Sequence, residues 1–171
     1  LHLCGYYETI DSDWNSLSEE KRESYLSIQH DDDTLVRLGG YYLENTDLDS
    51  VIDILELARC SIVSESPIYD FFFEVCKLPN TSECNVVRHV AIESMSWRLA
   101  NRQSIDSDVV KKDVVKQLTD LLDHKDQFSA WFAAESLSHL GNGAGFNLLL
   151  AKATDSKEKN IGHRVKSLEA L

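Results

Sequence analysis

No stretch of about 18 consecutive apolar residues occurs in the chain, which excludes a membrane-spanning helix. The opening Leu1-His2-Leu3-Cys4 is too short for a secretory signal, so the expected location is cytoplasmic. Cys4, Cys60, Cys76 and Cys84 form no Cys-x-x-Cys pair and fall mostly within helical apolar patterns, which points to free buried thiols. His2, His30, His89, His124, His139 and His163 lack the His-Glu-x-x-His spacing of a zinc-binding helix, and His139 and His163, near helix ends, read as solvated or capping groups. There is no Gly-x-Ser-x-Gly elbow to present a nucleophile. Gly141-Asn142-Gly143-Ala144-Gly145 lacks the Lys and Ser/Thr of a phosphate-binding loop and reads as an inter-helix turn. No catalytic residue, cofactor or metal is therefore expected. Strand-like alternation, linkers and low-complexity tracts are also missing.

Positive charge is scarce as well. Seventeen Lys and Arg face 29 Asp and Glu, a net charge of −12. Phosphate binding depends on clustered cations that release counterions, so this balance argues against nucleic acid and against anionic membranes. Residues 1–85 hold 18 acidic and 5 basic side chains, whereas residues 86–171 hold 11 and 12. The acidity belongs to the N-terminal half.

What remains is helical periodicity. Ser18 followed by Glu19-Glu20 starts a helix expected to reach Ile28. Asp33 caps a helix through Leu35, Val36, Leu38, Tyr41, Tyr42 and Leu43, in which Gly39-Gly40 is tolerable if a neighbour packs closely there. Asn45-Thr46-Asp47 recaps the chain for Leu48, Val51, Ile52, Leu55 and Ala58, spaced as an amphipathic helix requires. Ser66-Pro67 opens a helix that ends before Pro79, and Leu78 to Asn85 reads as a polar loop. A helix over 85–101 carries apolar residues on more than one stripe, as expected of an element packed on two sides. Helices over 108–123, 128–140, 145–154 and 161–171 follow, and Gly141 stands where a left-handed residue closes a helix.

Val87-Arg88-x-x-Ala91-x-x-x-Met95 superposes on Ser129-Ala130-x-x-Ala133-x-x-x-Leu137 and on His163-Arg164-x-x-Ser167-x-x-x-Leu171, with a fainter copy at Val36-Arg37-x-x-Gly40. Offsets of this size mark stacked supersecondary units. The small residue lets helices approach, the apolar one fills the core, and the Arg bonds a neighbouring turn. Ala133-Ala134-Glu135-Ser136-Leu137-x-x-Leu140-Gly141 and Val87-Arg88-x-x-Ala91 resemble second helices of HEAT-like repeats of the armadillo/HEAT type, in their short bacterial form. The resemblance implies an all-α fold, an α-α superhelix of about four helix pairs. It would cover residues 33–171 of a single domain, with residues 1–32 as an irregular N-terminal cap. It also implies a binding role rather than an activity.

The densest charge feature is Asp31, Asp32 and Asp33 with Glu44, Asp47, Asp49, Asp53 and Glu56, flanked by Tyr41 and Tyr42. It lacks calcium-loop spacing. One reading is a solvated face; the other is an electrostatic docking surface for a basic protein, with an aromatic anchor beside it. Trp97 and Trp131 fall on wide apolar faces and are assigned to the core, and Trp14 to a cover over the first helix. Ser167 to Leu171 carries apolar residues without a polar cap, which implies a truncated chain or an end buried in a partner or a homo-oligomer. The expected function is a non-enzymatic interaction module binding a basic protein, as an immunity- or antitoxin-like inhibitor or an adaptor. The alternatives are a HEAT-type enzyme, a bilin lyase before a DNA glycosylase, or a piece of a larger scaffold.

Overall fold

Apolar residues recurring every three or four positions need a helix to gather them on one side, and in the computed structural model each such run among the described residues is a helix. The structure describes residues 32–60, 66–101, 108–156, 158 and 160–171. Asp31, Trp14 and the helix expected from Ser18 lie outside the described residues. The helices are α1 (Asp32–Glu44), α2 (Leu48–Cys60), α3 (Ser66–Cys76), α4 (Ser82–Asn101), α5 (Asp108–Asp120), α6 (Gln127–His139), α7 (Phe146–Thr154) and α8 (Ile161–Glu169). Short 3₁₀ turns at Leu121–Asp123 and Gly143–Gly145 extend α5 and lead into α7. Among the described residues every regular element is helical.

Three boundaries differ from the sequence expectation. The segment 82–84 is the first turn of α4 rather than loop, because the Thr81 hydroxyl accepts from the Cys84 N–H (3.3 Å) and the Asn85 N–H bonds the Thr81 carbonyl (2.9 Å). Asp33, expected as the cap of α1, already has helical backbone, because α1 begins at Asp32, and α8 ends at Glu169 rather than at residue 171. Other signals act as read. Asp47 caps α2 by accepting from the Ser50 N–H (3.2 Å) and hydroxyl (2.8 Å). Gly141 takes φ +73°, and the Asn142 N–H reaches back to the Leu137 carbonyl (2.8 Å) to close α6.

The helices pack in pairs: α1 on α2, α3 on α4, α5 on α6, α7 on α8. Between pairs, α1, α3 and α5 lie side by side as one layer, and α2, α4 and α6 as the other. The main core fills the space between layers with Leu35, Leu55, Phe72, Ile92, Met95 and Leu118. A smaller cluster of Trp131, Ala134, Leu149 and Ala170 joins the last pair to α6.

The repeat Arg does what its position suggested. Arg88 is completely buried and bonds the Cys76 carbonyl (3.1 Å), the Leu78 carbonyl and the Pro79 carbonyl (3.2 Å), where α3 has run out of N–H partners. Arg164 repeats the device at the end of α7, donating to the Ala153 carbonyl (3.2 Å). Arg98, also buried, donates to the Ala58 carbonyl (2.8 Å) near the end of α2.

Adjacent glycines in α1 differ in kind. A Cβ on Gly39 would run into the Phe71 ring of α3, so close approach does explain this residue; at Gly40 a Cβ would meet nothing within 4 Å. Gly39→Ala is expected to cost about 1–3 kcal/mol through overpacking. Gly40→Ala is expected to gain about 0.5–1 kcal/mol by stiffening the unfolded chain. Urea midpoints moving in opposite directions would bear this out; two shifts of the same sign would refute the packing argument.

Candidate binding cleft on the second-helix layer

The exposed side of α2, α4, α6 and α8 carries a cleft of about 470 Å³. Arg59 comes from α2, Glu93, Trp97 and Ala100 from α4, Phe132, Glu135 and His139 from α6, and Lys166 from α8. All but Phe132 lie in the C-terminal halves of their helices, so the four run in the same direction. That alignment explains the cations: Arg59, His139 and Lys166 stand in last turns, where the helix dipole is negative. Ser96 and Ser136 meet at the base of the cleft through a hydrogen bond (3.1 Å) that ties α4 to α6.

The walls combine aromatic surface with charge of both signs. Trp97 is half-buried, with the Arg59 guanidinium 5.1 Å from its ring centre, and Arg59 also pairs with Glu56 (3.9 Å). Glu93 has its carboxyl pushed above the ordinary range because the surrounding protein strips it of water; Lys166 and Arg59 oppose this, and Glu135 and Glu56 add to it. Glu56, Glu93 and Glu135 thus share one field. Clefts of this volume, with aromatic walls and a few polar groups, suit a ligand or an inserted side chain.

Of the ten residues singled out from sequence, eight fall on α1 or α2. Asp31 lies outside the described residues, and Asp32 is the first residue of α1. Asp33, Tyr41 and Glu44 make an exposed stripe on α1, with Arg37 between them. Tyr41 is 60% exposed, whereas Tyr42 packs against the core with its ring edge-on to Tyr41 at 5.5 Å. On α2, Asp49, Asp53 and Glu56 follow i, i+4, i+7 spacing and lead to Arg59 at the cleft. Asp47 is occupied as the α2 cap.

One sequence assignment is corrected. Trp97 is a wall of the cleft rather than core, although Trp131 is core, its indole N–H donating to the Ser167 hydroxyl (2.8 Å). Of the two readings of His163, solvated or capping, the structure favours the second: its ring packs 4.9 Å from Trp131 and 5.4 Å from Phe128, and its Nε2 lies 3.0 Å from the side-chain amide of Asn160, the N-cap of α8. Glu93, Phe132, Glu135, His139 and Lys166 went unremarked as site residues. A signal for two of them was present, because five residues beyond Arg88 and Ala130 in the repeat lie Glu93 and Glu135.

A second polar cluster brings Ser129, Asp126 and His89 together without forming a nucleophile and its base. The Asp126 carboxylate sits between the others, accepting from the Ser129 hydroxyl (2.7 Å) and N–H (2.8 Å) and lying 2.8 Å from His89 Nε2. This is the N-cap of α6, fastened to α4 by His89. Burial works against the Asp126 charge, but the bonds from Ser129 and His89 outweigh it and hold the pKa at about 2, below the 3.8 of a free side chain. A depressed carboxylate stabilises the fold fully above its unfolded pKa and loses that contribution as pH falls through the folded one. Wild type is accordingly expected to lose about 1–2 kcal/mol between pH 5 and pH 2 that Asp126→Asn does not lose, the scale of one cap. Parallel stability–pH curves for the two proteins would rule this out.

Burial drives the Cys76 thiol up to about 12 against the pull of Arg88, and both Cys76 and Cys84 are buried and free, as expected. Among the described residues no three His, Cys, Asp or Glu side chains gather as metal ligands do, and no helix is long and apolar enough to cross a membrane. No protein-family description, no curated protein and no solved structure matches the chain.

Proposed function

We propose that this protein is a non-enzymatic interaction module whose second-helix layer holds a basic protein partner. The observation that carries the reading is the sharing of one layer by the α2 stripe Asp49-Asp53-Glu56 and the cleft carboxylates Glu93 and Glu135, beside the aromatic walls Trp97 and Phe132. Carboxylates around an aromatic pocket raise the encounter rate for a cationic partner and give it an anchor after docking. HEAT-like pairing fits the order of helix contacts, and an immunity- or antitoxin-like inhibitor and an adaptor are the two forms this role takes. The exposed α1 stripe around Tyr41 would extend the surface. Location in the cytoplasm belongs to the same proposal.

A bilin lyase would draw on the same cleft, since Arg59 and Lys166 suit carboxylates and the aromatic walls suit a planar ring. The carboxylates weigh against it, because they repel an anionic ligand. The deciding measurement is affinity capture by wild type and by a variant with Asp49, Asp53 and Glu56 neutralised, at low and high salt. A basic partner retained by wild type, and released by salt or by neutralisation, is the expected result. An acidic partner, or retention indifferent to both changes, would end the electrostatic reading.

A further inference from the structure

The repeat register, carried through the structure, holds in the three second helices that share a layer, α2, α4 and α6. Val51, Ile54, Leu55 and Ala58 of α2 occupy the positions of Arg88, Ala91, Ile92 and Met95 of α4 and of Ala130, Ala133, Ala134 and Leu137 of α6, and every one of these twelve is buried. In the last pair the register fades: of Arg164, Ser167, Leu168 and Leu171 only Ser167 is buried, and Leu171 lies beyond the end of α8. Five residues beyond the first position of each of the three buried sets stands a glutamate: Glu56, Glu93 and Glu135. None of the three is buried. Helices of one layer have axes about 8–10 Å apart, so equivalent carboxylates on successive second helices repeat at about that interval along the stack. A polyproline-type segment, at about 3.1 Å per residue and three residues per turn, sets every third side chain on one face at about 9 Å.

A second, independent feature says what the ladder receives. The cleft already holds a guanidinium, because Arg59 lies over Trp97 at 5.1 Å and beside Glu56 at 3.9 Å. That arrangement is a complete arginine site: an aromatic face below, a carboxylate at the edge, and Phe132 and Glu135 across the opening. It is filled by the chain's own side chain, itself only half-buried and, among the described residues, paired with Glu56 alone.

We propose that Glu56, Glu93 and Glu135 form a ladder across α2, α4 and α6 that reads a polyproline-type segment of a partner bearing arginine at every third position, one arginine displacing Arg59 from Trp97. This rests on the interaction-module reading above and adds spacing, conformation and residue type to it. Arg59 and Lys166 act as internal counter-ions that keep the unoccupied ladder from repelling itself, and an incoming segment releases them.

The test uses the full chain and labelled synthetic peptides of one composition, with arginines either at every third position or run together in one block. Fluorescence anisotropy is expected to give the spaced peptide an affinity about tenfold above the block peptide, with a change in tryptophan emission as Arg59 leaves Trp97. Glu93→Gln and Glu135→Gln are each expected to weaken the spaced peptide about threefold to fivefold, the scale of one partly exposed ion pair. Glu74→Gln, the same charge change on α3 beside Lys77, is expected to leave binding within error. Arg59→Gln is expected to tighten binding, a gain that a merely structural arginine would not give, and circular dichroism confirms that each variant is folded. Equal, salt-sensitive binding of both peptides, or equal losses from Glu74→Gln and Glu93→Gln, would overturn the ladder while leaving the acidic docking surface standing. Failure of every basic peptide to bind at low salt would overturn both.

Discussion

Arg88→Ala is expected to lower stability by about 3–5 kcal/mol, combining a cavity with carbonyls that lose a charged donor. The guanidinium is completely enclosed, and its donors serve Cys76, Leu78 and Pro79 together with the Asn85 side chain. Those carbonyls lie at the end of α3 and just beyond it, without intrahelical N–H partners, where the dipole of α3 is negative. One side chain therefore neutralises a helix end, closes the α3–α4 turn and fills the space beside Ser129, 3.5 Å away. In a chain of this size a melting-temperature drop of roughly 10 °C corresponds to that loss. Lys at this position has one point of donation in place of a planar fork and should recover less than half of it. Arg164→Ala supplies the contrast. That residue is only half-buried and makes one such bond, so about 1 kcal/mol is expected. Equal costs for the two alanine variants, by denaturant titration, would show that burial and the number of carbonyls served do not set the value of the repeat arginine.

Arg88 also shows what was legible in the sequence. Its recurrence in register with Arg164 marked a bond to a neighbouring turn, and both side chains make one. The helices were legible too, because their signals are local: the Asp47 cap, Pro67 at a helix start, and Gly141 in the left-handed region at the close of α6. The start of α4 was obscured because Thr81-Ser82-Glu83 after Pro79 is equally polar as loop or first turn. The cleft was harder to see for a different reason. Trp97 belongs to a helix packed on two sides, where a third face is apolar enough to pass for core, and only the arrangement of α2 and α6 around it decides between wall and interior. Single carboxylates such as Glu93 and Glu135 look like solvated charges until the stack sets them in line. Arg98 carried no repeat signal, and its burial against the end of α2 depends wholly on the packing of α4 on α2.

Trp131→Ala is expected to cost about 3–5 kcal/mol as well, but to place the loss in one part of the molecule. Trp131 is the centre of the smaller cluster with Ala134, Leu149 and Ala170, and its indole N–H bonds Ser167, which in turn donates to the His163 carbonyl (2.8 Å). Ser138 adds one further tie from α6 to the Ala170 carbonyl. Stacked helix pairs contact only their neighbours, so loss of the joint frees the end pair without dismantling the rest. Amides of α7 and α8 should exchange about a hundredfold faster in Trp131→Ala, while those of α2 and α4 keep their protection. Trp131→Phe keeps most of the apolar surface but removes the Ser167 bond, and should fall between. The functional consequence follows from α8 carrying Lys166. A loosened α8 removes one wall of the cleft, so Trp131→Ala should weaken binding of a cationic segment although Trp131 itself is buried away from it. Uniformly faster exchange across all helices would mean that the chain unfolds as one unit, and the last helix pair would lose its standing as a separately movable wall.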